Sequence, residues 1–547
     1  MTLSSDKELN GLDNPSFVGE DGSHYCSSLD HAACGPEEGG GMGHSGSKLA
    51  YSVTDVPPWY LCILLGIQHF LTAMGGLVAI PLILSKELCL QHDLLTQSHL
   101  ISTIFFVSGI CTLLQVLFGV RLPIIQGGTF AFLTPTLAML SLPMWKCPAW
   151  TQNATLVNAS SPEFIEVWQT RMREDYFFHS SVLSVPERCP CAAAVLPERQ
   201  EVPSLPGLPL PDLPVTDVLP ADPTAYGHLA RTDTRGDVLS QAPWFRLPYP
   251  GQWGVPTVSL AGIFGILAGV ISSMLESVGD YYACARLSGA PPPPKHAISR
   301  GIGVEGIGSL LAGAWGTGNG TTSYSENVGA LGITKVGSRM VIIAGACAML
   351  LSGIFGKVGA MLASIPTPVI GGMFLVMFGV ITAVGISNLQ YTDMNSSRNI
   401  FIFGFSVFAG LTVPNWASKN STLLETGIIQ LDQVIQVLLT TGMFVGGLLG
   451  FILDNTIPGT QEERGLLAWK NSHKGEVENS QLVSKVYDLP FGIGTKYCTV
   501  SWFWYLPTCP KRLPGGNRMD ELKAAGQESS VKASSEKDSE IGADTRI

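Results

Sequence analysis

The sequence predicts an all-α polytopic membrane protein, and three observations lead there. Only 14% of the 547 residues are charged, against about 25% in an ordinary soluble domain. Apolar windows long enough to cross a bilayer, about 20 residues each, recur along the chain. Carboxylates stand inside those windows: Glu276 and Asp280 lie one helical turn apart at the end of an apolar stretch beginning near Val255, and Glu326 opens another. A charge near mid-bilayer costs roughly 3 kcal/mol even on lenient insertion scales, so such residues mark sites for a cation, a proton or a solute.

Residues 1–50 are polar and are expected to be a disordered cytoplasmic N-terminus. The first apolar run, from Trp59, continues past a signal-like length and reads as a signal anchor rather than a cleaved leader. Spans are expected near 59–84, 99–118, 256–282, 302–316, 339–356, 361–384, 399–415 and 433–453. Two shorter apolar pieces, about 130–142 and 326–334, each follow extended, Gly-rich sequence: Ile124 to Thr129, and Gly318 to Ser325. They read as half-helices, whose N-termini offer free N–H groups and a positive dipole end near the midplane. The chain thus divides into 1–50, 51–142 with three segments, an outer Pro-rich loop 143–254, a block 255–455, and a cytoplasmic tail 456–547.

Basic residues set the orientation: Arg286, Lys295, Arg300, Lys335, Arg339 and Arg398 cluster in loops assigned to the cytoplasm. Both termini and Arg121 then lie inside. Sequons at Asn153, Asn158 and Asn420 fall in outer loops and are expected to carry glycans, whereas those at Asn319 and Asn395 are not. From Pro186 to Pro250 the outer loop holds 13 of the 36 prolines, so it is expected to be irregular and mobile. Cys62, Cys111, Cys284 and Cys347 read as packing thiols, while Cys147, Cys189 and Cys191 could supply one outer disulfide. The net charge of −11 sits largely in polar segments such as Asp520 to Asp544 and gives no reason to invoke nucleic acid. No nucleophile, metal-ligand spacing or phosphate loop suggests an enzyme. The last residues, Thr545 to Ile547, could add a strand to a PDZ-type partner.

The run Glu326-Asn-Val-Gly-Ala-Leu-Gly-Ile-Thr-Lys335 resembles the signature of the nucleobase-ascorbate transporter family. Support comes from Met274 to Leu287, the loop Pro291 to Pro294, Gln126 to Phe132, Gln68-His69 and Asn388 to Arg398. The match covers about 51–173 and 215–510 and looks like the animal branch, which includes sodium-dependent vitamin C and nucleobase transporters. The resemblance implies an inverted-repeat transporter fold, uracil permease-like, with core and gate domains, plasma-membrane location and a homodimer. It also implies that the first repeat is incomplete. The family's segments 4 to 7 are replaced by Glu174 to Pro214, an even number of crossings, so the complete second repeat keeps its sidedness.

By the same resemblance, Glu276 and Glu326 hold substrate, the Phe130 and Ser325 backbones contact it, Tyr324 packs beside it, and Asn327 belongs to the same substrate-binding signature. The residues agree with this. A uracil or oxopurine edge pairs N–H donors with carboxylates and C=O acceptors with backbone N–H groups. Ascorbate, an anion, meets like charge at both acids, and the vitamin C transporters carry Pro where Glu326 stands, so a neutral nucleobase is favoured. Where proton-coupled bacterial uracil permeases have His, this chain has Asp280, which suits sodium with Thr129 and Ser323 oxygens. Gln68 and His69 are expected on an inward face, His69 steadying the broken segment near Thr129. No organic cofactor is implied, and membrane lipids are the remaining partners. Ascorbate transport and a non-transporting shortened chain are the alternatives.

Overall fold

A computed structural model describes residues 49–153, 157–180, 236–254, 257, 260–389, 392–424, 426–460, 463–464 and 486–489. Two long apolar helices come first, α1 (Trp59–Glu87) and α2 (Leu94–Leu117). Strand β1 (Gln126–Gly128) leads into the short α3 (Phe130–Leu140). The outer segment contributes α4 (Pro162–Ser180) and α5 (Gly236–Gln241). Next come α6 (Leu260–Leu287), α7 (Lys295–Trp315), β2 (Thr321–Ser323) and the short α8 (Ser325–Thr334). The last elements are α9 (Arg339–Ile354), α10 (Gly356–Ala363), α11 (Thr367–Leu389), α12 (Ser397–Lys419), α13 (Ile429–Thr440) and α14 (Gly442–Thr456).

The main core joins α1, α2, α3, α6 and α9 through side chains such as Leu77, Ile80, Ile104, Phe105, Phe132, Ile266 and Met349. Among the described residues, α1, α2, α6 and α12 are each long and apolar enough to cross a membrane. Two expected spans are bent. The 361–384 region breaks between α10 and α11, which meet at 95°, with Pro366 and Pro368 at the break; a Pro lacks the N–H that would continue the ladder. The 433–453 region breaks at Thr441, where α13 and α14 meet at 78°. There Gly442 and Gly446 press on α12: a Cβ on Gly442 would lie 2.6 Å from the Gly410 carbonyl oxygen. Small residues let these backbones touch, as in membrane helix pairs generally.

The molecule has two distinct ends. At one, Cys89 after α1 is disulfide-bonded to Cys147 after α3, 58 residues apart. Cys147 was expected to pair within the outer loop; its partner is instead the Cys89 passed over in the sequence, while Cys189 and Cys191 lie outside the described residues. Of the Pro186 to Pro250 stretch, expected to be irregular and mobile, the described part from 236 is ordered, together with 251–254. Trp253 Nε1 donates to the Gly316 carbonyl at 3.0 Å, Trp315 Nε1 to that of Pro248 at 3.1 Å, and Arg246 Nη2 to Gln252 Oε1 at 2.5 Å. Trp253 thus satisfies a carbonyl at the C-terminal end of α7, Trp315 of α7 satisfies one in the 236–254 stretch, and Arg246 ties that stretch to itself, none of which proline count reveals.

The opposite end gathers the N-terminus of α1, the α2–β1 loop, the end of α6 and the start of α7. Ala50 N donates to the Lys335 carbonyl at 3.0 Å, and Tyr51 pairs with Val336. Arg121, Arg286, Arg300, Lys335 and Arg339 all belong to this end. Asn153 and Asn158 are exposed, while Asn420 is half-buried with its Nδ2 donating to the Trp416 carbonyl at 2.9 Å. Residues 1–48 and 511–547, including Ile547, lie outside the described residues.

Candidate functional site

Strands β1 and β2 pair antiparallel, Gln126 opposite Ser323, Gly127 opposite Thr322 and Gly128 opposite Thr321. Each strand runs directly into a short helix, so the N-termini of α3 and α8 come together as the two Gly-rich breaks suggested. The Asn319 side chain extends the ladder: its Nδ2 donates to the Thr129 carbonyl at 3.1 Å and its Oδ1 accepts from Thr129 N at 3.2 Å. Asn319 has no exposed surface, which closes that sequon to a glycan. Tyr324 seals the pair from α1, its hydroxyl donating to the Gly128 carbonyl at 2.9 Å. That ring explains two glycines, since a Cβ at Gly127 would sit 2.2 Å from Tyr324 Cε2 and one at Gly76 2.7 Å from its hydroxyl.

Glu276 from α6 and Glu326 from the first turn of α8 line one cavity of about 20 Å³ with Gly128, Thr129, Phe130, Thr322, Ser323, Tyr324 and Ser325. That volume admits about one water, so a planar ring enters only when these walls part. Thr129 Oγ1 donates to Glu276 Oε2 at 3.1 Å and accepts from Ala131 N at 3.1 Å, capping α3 and orienting the acid. Phe130 stacks at a tilt on Phe378 of α11, centroids 5.0 Å apart. Neither Glu276 nor Glu326 is in an ion pair among the described residues.

Asp280, one turn along α6 and 4% exposed, accepts from Ser325 Oγ at 2.9 and 3.2 Å. The hydroxyls expected beside it bond elsewhere, Thr129 to Glu276 and Ser323 to Glu305. Asn327 is fully buried and does not line the cavity; its Nδ2 donates to the Pro123 carbonyl at 3.2 Å. His69 is also fully buried, but its ring faces Asn327 rather than Thr129. Gln68 is exposed rather than inward, because consecutive helix residues point about 100° apart and the core takes His69.

The carboxylate that sequence reading passed over is Glu305, in the middle of α7. Its Oε1 accepts from Ser323 Oγ at 2.6 Å, Tyr281 OH at 2.8 Å, Gln126 Nε2 at 3.1 Å and Gln115 Nε2 at 3.3 Å. Its Oε2 accepts from Ser277 Oγ at 2.5 Å, and Ser277 also bonds Thr322 at 2.7 Å. Glu305 therefore fastens α2, α6, α7 and both strands into one polar hub. A hint was available in the sequence: Ser277 and Tyr281 repeat at helical spacing on the face beside Glu276 and Asp280.

Residues 61–161 and 219–419 match the family described as Permease family. The chain is 44% identical to solute carrier family 23 member 1 of Mus musculus, over 84% of this chain and 89% of that protein. It is 45% identical to solute carrier family 23 member 2 of Rattus norvegicus, over 85% and 83% respectively. Nucleobase-ascorbate transporter 12 of Arabidopsis thaliana is 32% identical, over 83% of this chain and 76% of its own. The matched blocks take in both broken helices and the acids between them, and with the identity to these relatives they show that the chain belongs to this permease family, in the animal solute carrier 23 branch of the nucleobase-ascorbate transporters, and is a multi-pass membrane protein rather than an enzyme.

Proposed function

We propose that the chain is a sodium-coupled symporter for neutral nucleobases of the uracil, thymine, hypoxanthine, xanthine and guanine class, working in the plasma membrane with both termini in the cytoplasm. The observation that carries this reading is that Glu276 and Glu326 share one cavity with a helix N-terminus and have no cationic partner among the described residues. Two half-buried carboxylates accept from ring N–H groups, backbone N–H groups at the start of α8 donate to ring carbonyls, and an anionic solute meets repulsion. Asp280 with Ser325 offers hard oxygens for sodium, with Thr129 and Ser323 one layer away. The Cys89–Cys147 bond supports placing that end outside, where thiols oxidise, and the arginine-rich end inside.

Uptake of radiolabelled uracil and hypoxanthine, with sodium and with sodium replaced, tests this beside ascorbate. Sodium-dependent accumulation of at least one base, with none of ascorbate, is expected. A second reading, ascorbate transport, is favoured by the name of the Arabidopsis relatives, nucleobase-ascorbate transporters. Ascorbate uptake that exceeds that of every base would select it. A shortened first repeat is supported by the stretch 162–218 between the two matched blocks and by the exposed apolar faces of α11 and α12, such as Leu375, Phe408 and Leu411. If the missing segments abolish rocking, no solute accumulates although the chain reaches the membrane.

A further inference from the structure

The segment Val486–Leu489 follows α14 by 29 residues and returns to the arginine-rich end of the fold. Tyr487 has no exposed surface; Val486 and Leu489 are 3% and 6% exposed. Val486 and Tyr487 share one apolar cluster with Tyr281, Cys284 and Ala285 of α6, Ala297 of α7, and Val328 and Leu331 of the broken helix α8. The backbone is held from the core side: Arg300 Nη2 donates to the Tyr487 carbonyl at 2.6 Å and Arg339 Nη2 to that of Val486 at 3.0 Å. The ring is held as well, its hydroxyl donating to the Pro291 carbonyl at 2.6 Å. Asp488 brings its charge beside Arg121 and Arg300, so the contact is complementary in sign as well as apolar.

Position gives this contact its meaning. Glu276, Asp280 and Cys284 recur every four residues on one face of α6, so the tail meets that face roughly 12 Å below Glu276 along the helix axis. We propose that Val486–Leu489 is a detachable latch, a segment of the chain's own tail that closes the end of the acid-bearing face of α6 and α8 opposite the disulfide, and that its release opens that face. Under the orientation proposed above, this is the cytoplasmic end. The latch does not depend on which solute the site takes.

Cys284 reports the latch directly, since it is a buried free thiol beneath the tail. The purified full chain is treated with a maleimide, and labelling of the Cys284 peptide is followed by mass spectrometry. Tyr487→Ala is expected to speed Cys284 labelling about tenfold or more, because losing a buried ring opens the contact locally. Unchanged labelling in a variant that elutes as folded protein overturns the proposal. In parallel, hydrogen exchange on the unaltered chain is expected to show the amides of 486–489 protected, yet exchanging faster than those of 281–287, as a docked segment that opens locally does; protection equal to that of 281–287 overturns release. Exchange at the rate of an unstructured peptide there overturns it whether or not the variant folds. With no solute present, failure here leaves the nucleobase reading untouched.

Discussion

Three glutamates in this fold differ in what surrounds them: Glu305 is buried, whereas Glu276 and Glu326 are half-buried. Glu305 has five donors and does not line that cavity, so it serves as a structural anchor, while Glu276 has one donor, from Thr129, and lines the one-water cavity with Glu326. A carboxylate with spare acceptor capacity in a closed site is available to a ligand. Replacing Glu305 by Gln puts an NH2 group against several hydroxyl and amide donors and is expected to lower thermal stability in detergent by a few kcal/mol, about 1.5–3 for each charged bond lost. Glu305→Asp, which keeps the charge, is expected to lose less; the melting temperatures compare the two. Gly127→Ala pushes a methyl into the Tyr324 ring and is expected to cost about 1–3 kcal/mol, read by the same assay, with base binding weakened as Tyr324 shifts. Glu276, Asp280 and Glu326 were legible in the sequence because charge in apolar sequence is conspicuous. Glu305 was passed over although it lies inside the expected span 302–316, and its role shows only where Gln115, Gln126, Ser277, Tyr281 and Ser323, far apart in sequence, converge on it. His69 was legible as an inward-facing polar residue, whereas Asn327, expected in the substrate set from the resemblance, lies off the cavity on the Pro123 carbonyl; the orientation of both depends on how α1 packs on α8, which no local pattern encodes.

Among the elements, the half-helices were legible because a Gly-rich extended stretch ahead of a short apolar run leaves too few helical residues to cross a bilayer in one piece. The antiparallel pairing of β1 with β2 was not, since it joins residues almost 200 positions apart and each strand has only three residues. The bends at Pro366 and Thr441 were missed for opposite reasons. The prolines were visible but sit between helices that a hydropathy window merges, and Thr441 is unremarkable until Gly442 and Gly446 press on Gly410. Gly442→Leu is therefore expected to separate α12 from α14 and reduce folded yield, measured as monodisperse protein by size exclusion; Gly447→Leu, where a Cβ meets nothing within 4 Å, is the matched control and is expected to behave as the unaltered chain.

At the scale of the whole molecule, the disulfide, the ordered 236–254 cap and the docked tail place closure devices at both ends of the bundle, with the acids between them. Closing a 58-residue loop, the Cys89–Cys147 bond is expected to contribute about 2–4 kcal/mol. Cys147→Ser should lower the melting temperature while leaving Cys284 as protected as before, because the two ends are held separately. The family was legible from the run around Glu326 together with Gln126 to Phe132, Met274 to Leu287, Pro291 to Pro294 and Asn388 to Arg398. The docking of a four-residue tail segment was not, since Val-Tyr-Asp-Leu carries no periodic signal and finds its meaning only against Arg300, Arg339 and Pro291.

The central claim, that two unpaired carboxylates in one cavity hold a neutral ring, is tested most directly by equilibrium binding to the purified protein, which does not require the chain to complete a transport cycle. Radiolabelled uracil or hypoxanthine is expected to bind saturably and more tightly with sodium, and Glu276→Gln or Glu326→Gln should each weaken binding about 10- to 100-fold, the worth of one charge-assisted bond. Ascorbate binding in place of every base, or a base affinity that both substitutions leave unchanged, would contradict it.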